Sequence, residues 1–130
     1  PLVVEFCFHI VNEDSRAPVD SPAARVLREG VVVGVLDTGV WPEHPSFSDP
    51  DPSGKPYAPP PAPPSGTPRA CQFSGGTNPG PAFTCNNKLI GAYRFMNTYQ
   101  ANIAPVPGEY TTARDDDGHG THTSSTSAGR

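Results

Sequence analysis

The chain has 130 residues, which is room for one modest domain or for a piece of a larger one. Its 9 Lys and Arg against 13 Asp and Glu give a formal net charge of −4, so no basic surface is available for nucleic acid or an anionic membrane. The longest apolar runs are far shorter than the roughly 20 residues that span a bilayer, so we expect neither nucleic acid nor a membrane as a partner.

Residues 1–29 combine a strand-like run, "LVVEFCFHIV", with a polar stretch that contains prolines. No chemistry attaches to this segment, and we interpret it as an unassigned N-terminal segment, either a pro-segment remnant or an unusual junction. The chain starts at Pro1 and stops in "STSAGR", within what is predicted to be structured. We therefore expect it to be a fragment of a larger protein.

A buried strand is predicted where residues 31–47 read "VVVGVLDTGVWPEHPSF". β-Branched valines without polar alternation are typical of a strand buried on both faces, which implies a parallel sheet covered by helices. The strand ends at the acid Asp37, where Thr38 and Gly39 turn the chain. A carboxylate at the end of a dry strand is costly unless a charged or polar group meets it, so the sequence predicts a partner for Asp37.

The middle of the chain is predicted to be mostly loop. Residues 49–68, "DPDPSGKPYAPPPAPPSGTP", are too rich in proline for a helix or a central strand and predict a long surface loop. A turn followed by a short apolar strand is predicted over "NNKLIGAYRF", residues 86–95, and residues 96–110 are expected to be irregular.

The chain has three cysteines, Cys7, Cys71 and Cys85. A disulfide between Cys71 and Cys85 would close a short glycine- and proline-rich loop and stabilise the fold by roughly 3 kcal/mol. That pairing leaves Cys7 free and favours an oxidising compartment. The alternative is that both are free surface thiols.

The last segment, "TTARDDDGHGTHTSSTSAG", concentrates polar chemistry around His119. If a helix starts near Gly118, the three preceding aspartates lie at its positive end, although helix propensity alone would not predict a helix here. The many small side chains indicate close packing. His119 has three interpretations: an ordinary hydrogen-bonded histidine, a metal ligand or a general base. His122 follows it by three positions and no Glu accompanies the pair, so the metalloprotease pattern is absent.

The two motifs together resemble the aspartate and histidine signatures of the subtilisin-like serine proteases, in the order Asp and then His. "DTGVWPEHPSF", "CNNKLIGAYRF" and "RDDDGHGTHT" are most similar to the plant cucumisin-type branch of that family. The resemblance implies that residues 30–130 are the N-terminal part of a subtilisin-like peptidase domain, truncated before the serine motif. It also implies an α/β fold, part of a three-layer parallel sheet covered on both faces, with long proline-rich surface loops.

The resemblance identifies Asp37 and His119 as catalytic residues of an Asp-His-Ser triad and makes His119 the expected partner of Asp37. Thr38 and Gly39 are expected to donate hydrogen bonds to Asp37, and Gly118 and Gly120 to leave space for substrate around the imidazole. "NNKLIGAYRF" is expected to be the strand next to the one that ends at Asp37. The expected function is secreted serine-type endopeptidase activity, with polypeptide substrates and the protein's own propeptide as partners.

Two departures from the family pattern limit these expectations. Ser46 occupies a place where many subtilisins have a calcium-binding acid, so we infer no metal and no cofactor. The serine signature is absent from the chain, and the serines after His119 are too close to it on the same element to serve as nucleophile. The fragment itself is therefore expected to be inactive. His122 is interpreted as a structural histidine.

Two alternatives remain. "DTG" after an apolar run is also the signature of aspartic proteases, and a chain with one such motif would have to act as a dimer, with two aspartates sharing a proton. That hypothesis leaves "DDDGHGTHT" unexplained. The second alternative is an inactive subtilisin-like binding or structural module.

Overall fold

The computed structural model describes residues 4–10, 31–103 and 106–129. Residues 1–3 and 11–30, which include most of the N-terminal segment, lie outside the described residues. Within the described ranges, no helix is long and apolar enough to cross a membrane. The elements in chain order are β1 (Val4–Ile10), β2 (Val31–Asp37), a 3-10 turn (Pro45–Phe47), β3 (Leu89–Arg94), α1 (Asn97–Asn102) and α2 (His119–Ala128).

The three strands form one sheet in the order β2-β1-β3. β1 is antiparallel to both neighbours, and Val4 at its start is opposite Asp37 on one side and Arg94 on the other. β2 and β3 therefore run in the same direction but are not hydrogen-bonded to each other. The predicted strands are present, but the expectation of directly paired parallel strands is wrong for this sheet, because the strand-like run of the N-terminal segment lies between them.

β2 is covered on one face only among the described residues. Val33 and Val35 point to one side and pack against the core, whereas Val32 and Leu36 on the other side are 39% and 65% exposed. Successive side chains of a strand alternate between its faces, so this pattern is that of a half-buried strand. The prediction that β2 is buried on both faces is therefore wrong in this structure.

The core lies where the turn after β2, the disulfide-linked loop and α2 meet the covered face of the sheet. Phe47 and Phe73 are completely buried, and Phe73 makes an edge-to-face contact with Phe83 at a centroid distance of 5.5 Å. Loop side chains thus fill much of the core. The buried hydrophobic cluster consists of Val40, Phe47, Phe73, Leu89, Ala92, Met96, Ala113 and Ala128.

The proline-rich segment, residues 49–68, is a loop as predicted, with no helix or strand. Its base is held by the carboxylate of Asp49, which accepts hydrogen bonds from the backbone N–H groups of Tyr57 at 2.9 Å and Asn87 at 3.1 Å. The segment over residues 96–110 is not wholly irregular, since it contains the short helix α1.

A disulfide joins Cys71 to Cys85, as predicted. Cys71 also forms an isolated parallel bridge with Ala92 of β3, so the disulfide ties the intervening loop to the sheet. Cys7 lies in β1.

Candidate active site

Asp37 and His119 are in contact, as the sequence predicted. The Nδ1 atom of His119 lies 2.7 Å from Oδ1 of Asp37. Asp37 is the last residue of β2 and His119 is the first residue of α2, so the contact joins the carboxyl end of a strand to the start of a helix. With a carboxylate as its partner, Nδ1 carries the proton, which leaves Nε2 as the ring nitrogen that can accept one.

Backbone pairing between two loop segments places these residues together. The N–H of Val40 donates to the carbonyl of Ala113 at 3.0 Å, and the N–H of Asp115 donates to the carbonyl of Val40 at 3.3 Å. The turn after Asp37 is thereby aligned with the segment that leads into α2, and the position of His119 follows from that alignment.

Two glycines allow the helix to approach the turn. A Cβ atom on Gly120 would lie 2.1 Å from the carbonyl oxygen of Gly39, and one on Gly39 would lie 2.6 Å from the backbone of Arg114. Gly120 is therefore required for contact between α2 and the turn. Nothing lies within 4 Å of a hypothetical Cβ on Gly118, whose φ of +95° is left-handed; its role in leaving space for substrate stays a prediction.

The carboxylate of Asp37 accepts hydrogen bonds at both oxygens. The N–H of Thr38 donates to Oδ1 at 2.8 Å, and the hydroxyl of Thr123 donates to Oδ2 at 2.9 Å. Thr38 is thus a donor to Asp37 as predicted, through its backbone N–H, while its hydroxyl donates to Asp115 at 2.9 Å. Burial by itself raises the pKa of Asp37, but the hydrogen bonds from His119 and its other donors outweigh this effect and hold the pKa below its ordinary value.

The imidazole of His119 is accessible, with 64% of its side chain exposed. The hydrogen bond and charge of Asp37 raise the pKa of His119, and the nearby charges of Asp117 and Asp115 act in the same direction. Among the described residues, no hydrogen bond involves Nε2. The ring is thus oriented through one nitrogen and open at the other.

Asp115 organises the start of α2. Its Oδ1 accepts from the hydroxyl of Thr38 and from the N–H groups of Asp117 and Gly118, and its Oδ2 accepts from both the N–H and the hydroxyl of Thr121. Burial raises the pKa of Asp115, but these donors outweigh it and lower the pKa overall. The hydroxyl of Thr38 also accepts from the N–H of Gly120 at 2.9 Å, which connects the turn directly to the helix.

An ion pair between Arg114 and Glu43 also joins the turn that follows β2 to the segment that precedes α2. The guanidinium of Arg114 binds both carboxylate oxygens of Glu43, at 2.9 Å for Nη1, and also donates to the carbonyl of Pro81. The side chain of Arg114 is only 4% exposed. This hydrogen-bonded pair holds the pKa of Glu43 below its ordinary value and fixes the loop after Trp41 to the segment before α2.

The remaining predicted positions, His122 and Ser46, are not among the hydrogen-bond partners of Asp37 in the part of the chain that the structure describes. His122 is exposed on α2 and, with Trp41 and His44, lines an open cavity of about 370 Å³. Ser46 lies in the 3-10 turn and its N–H donates to Nδ1 of His44. In the described ranges, no cluster of three or more His, Cys, Asp or Glu has an arrangement that could hold a metal ion.

Sequence reasoning missed two polar residues of this site, Thr123 and Asp115. Asp115 was predicted only as one of three acids at the positive end of a helix. The signal for Thr123 is its spacing of four residues after His119, which places both on one helix face. That signal depends on recognising α2 as a helix, which propensity alone does not predict.

Comparison with known proteins agrees with these motifs. Residues 28–130 match the family model described as "Subtilase family". The chain is 47% identical over 104 residues to subtilisin-like protease SBT1.7 of Arabidopsis thaliana, covering 76% of this chain. It is 48% identical over 109 residues to SBT1.4 and 41% identical over 109 residues to SBT1.2 from the same plant, covering 78% of this chain in each case.

These matches cover 12% of the length of each of the three curated relatives. No solved structure matches the chain significantly.

Proposed function

Because this chain belongs to the subtilase family, we propose that the full-length protein is a serine endopeptidase in which Asp37 and His119 are two members of a catalytic triad. The observation that carries this proposal is the 2.7 Å contact between His119 Nδ1 and Asp37 Oδ1. Since the chain corresponds to about an eighth of its relatives, the nucleophilic serine and the oxyanion-binding groups come from outside these 130 residues.

The proposed roles follow from the two ring nitrogens. Asp37 holds the proton on Nδ1, so that Nε2 takes the proton from the serine hydroxyl as the serine attacks the substrate carbonyl. The ionised Asp37 stabilises the resulting imidazolium. His119 then gives that proton to the leaving amine, and an acyl-enzyme remains for attack by water. The depressed pKa of Asp37 supports this role, because the carboxylate stays charged at neutral pH.

The serines of α2 are poor candidates for the nucleophile. The hydroxyls of Ser125 and Ser127 donate to the carbonyls of His122 and Thr123 within their own helix. Ser124 is completely buried. None of these contacts directs a hydroxyl at Nε2 of His119, which supports a nucleophile from another part of the protein.

Neither alternative function gains support. An aspartic protease pairs two carboxylates that share a proton, whereas Asp37 is paired with an imidazole. An inactive module would not require an oriented His119 with an accessible second nitrogen. The family and the named relatives agree with a serine peptidase.

We place the protein outside the cell, with polypeptides as substrates and its own propeptide as a partner. The disulfide between Cys71 and Cys85 supports this location, because such bonds form and persist mainly in oxidising compartments.

The proposed function is tested by replacing His119 in the secreted full-length protein. His119→Ala should reduce peptide turnover by about 10⁴- to 10⁶-fold and abolish labelling by a serine-reactive fluorophosphonate probe. His122→Ala, three residues along the same helix, is the matched control and should leave turnover within about threefold. A folded His119→Ala protein with near-normal turnover would overturn the triad.

The pH profile tests the same roles independently. His119 must be neutral to accept a proton, and Asp37 raises its pKa. Activity, measured as kcat/KM, should therefore rise with pH through a midpoint above about 6.5, the ordinary histidine value. An acid optimum would instead support two aspartates sharing a proton.

A further inference from the structure

A single helix supplies donors to both oxygens of the Asp37 carboxylate. His119 and Thr123 are four residues apart on α2, so they project from the same face. His119 Nδ1 contacts Oδ1 at 2.7 Å, and the Thr123 hydroxyl donates to Oδ2 at 2.9 Å. With both oxygens engaged from one rigid element, the carboxylate cannot rotate about its Cβ–Cγ bond without breaking a hydrogen bond.

The hydroxyl of Thr123 has two possible acceptors. The carbonyl of Gly120 lies 3.1 Å away within the helix, and Oδ2 of Asp37 lies 2.9 Å away across the helix–strand contact. A hydroxyl has one proton to donate, and a bond to an ionised carboxylate is roughly twice as strong as one to a neutral carbonyl. The Thr123 hydroxyl therefore donates to Oδ2 of Asp37 rather than to the carbonyl of Gly120.

Thr123 is the one donor to Oδ2 among the described residues, since the N–H of Thr38 goes to Oδ1. Removing the Thr123 hydroxyl would leave Oδ2 without that donor and concentrate negative charge on a carboxylate that is 12% exposed. The carboxylate would then hold the imidazole of His119 in a less fixed orientation. It would also attract the protonated imidazole more strongly.

We propose that Thr123 is a positioning residue of this peptidase, which fixes the plane of the Asp37 carboxylate and through it the orientation of His119. The proposal rests on the proposed function of Asp37 and His119. In this proposal Thr123 affects the rate of the chemical step and does not contact the substrate.

The test compares three variants of the full-length secreted protein. Thr123→Val keeps the side-chain shape but removes the hydroxyl, and should lower kcat by about tenfold with KM within about twofold. Thr123→Ser keeps the hydroxyl and should stay within about threefold of the parent. Thr126→Val is the matched control, because within the described ranges the Thr126 hydroxyl donates only to the carbonyl of His122 in the same helix. This variant should change neither constant more than twofold.

The pH profile distinguishes positioning from simple packing. In Thr123→Val, the acid limb of kcat/KM should move to higher pH, because the unshielded Asp37 binds the imidazolium more strongly. The other carboxylates that raise the pKa of His119, Asp115 and Asp117, are present in every variant, so the shift reports the lost hydroxyl. Thr126→Val should leave the midpoint unchanged.

A kcat within twofold of the parent and an unmoved midpoint in Thr123→Val would overturn the proposal. So would a Thr123→Ser protein that loses as much activity as the valine variant. If Thr123→Val fails to fold, Thr123→Cys, a weaker donor of similar size, replaces it and should lose about threefold or more; a cysteine variant equal to the parent would overturn the proposal. Failure of the triad itself is seen separately, as retained turnover in His119→Ala.

Discussion

The junction between the acid turn and α2 differs sharply from the proline-rich loop at residues 49–68. At the junction, backbones approach so closely that a single methyl group would not fit at Gly120. In the loop, residues 58–68 are mostly exposed, and the anchoring contacts of Asp49 lie at its base. The comparison shows that close backbone packing constrains the region where Asp37 and His119 meet. The exposed part of the proline-rich loop is not constrained in this way.

Among the substitutions that test this comparison between the two regions, the largest effect is expected from Gly120→Ala. The added Cβ would lie 2.1 Å from the Gly39 carbonyl oxygen, so α2 must move away from the turn and His119 with it. We expect kcat/KM to fall by about 10²-fold or more, since a displacement of about 1 Å at a catalytic group has such a cost. Steady-state kinetics of the full-length protein would measure this loss.

Gly118→Ala is the matched control for that substitution. Its Cβ meets open space, and the cost is that of the left-handed φ alone, about 1–2 kcal/mol of stability. If the two variants had equal activity, the close approach at Gly120 would not control the site.

A smaller effect is expected from Asp115→Asn. The amide NH₂ would face N–H and hydroxyl donors that now bond a carboxylate, so the variant should lose about 2 kcal/mol of unfolding free energy and about tenfold in kcat/KM. Asp116→Asn changes the charge equally, but Asp116 is exposed and accepts a hydrogen bond from the Tyr110 N–H. It should have the weaker effect; the reverse order would contradict the role of Asp115.

The pH dependence of that difference is a second measurement. Because the folded pKa of Asp115 is depressed, its contribution is fully present above the unfolded value of about 3.9 and is lost as pH falls through the lower folded pKa. Chemical denaturation should therefore show the parent and Asp115→Asn converging in stability below about pH 4. A stability difference that stayed constant as the pH was lowered well below 4 would show that ionisation of Asp115 contributes nothing.

The smallest effect is expected in the loop, from the combined substitution Pro59→Ala and Pro61→Ala. Both prolines are exposed, so the change acts mainly through the entropy of the unfolded chain. Activity should stay within about twofold, and the unfolding free energy should fall by less than about 2 kcal/mol. A large loss of activity, measured beside Gly120→Ala, would remove the distinction between the two regions.

The sequence predicted the parts of this molecule that have strong local signals. The valine run ending at Asp37, the turn and strand of "NNKLIGAYRF", the proline-rich loop and the pairing of Cys71 with Cys85 are all present. The contact between Asp37 and His119 followed from the resemblance of two ordered motifs, and it too is present. Their catalytic roles remain a proposal.

The rest depends on long-range placement that a sequence pattern does not encode. The apolar run of β1 does not indicate that it lies antiparallel between β2 and β3, because strand direction depends on connections along the whole chain. Valines predict a buried strand, but which face is covered depends on what packs there. Hydroxyl partners are equally nonlocal: Thr38 bonds Asp115, 77 residues away, although Asp37 is adjacent in sequence.

The disulfide has a consequence for how damage to the protein would be detected. Residues 74–77 between Cys71 and Cys85 are exposed, and exposed loops are preferred places of proteolytic nicking. A single cut there would leave the two pieces covalently joined. Such nicked molecules would migrate as intact protein in non-reducing electrophoresis and separate into two bands only after a reductant is added.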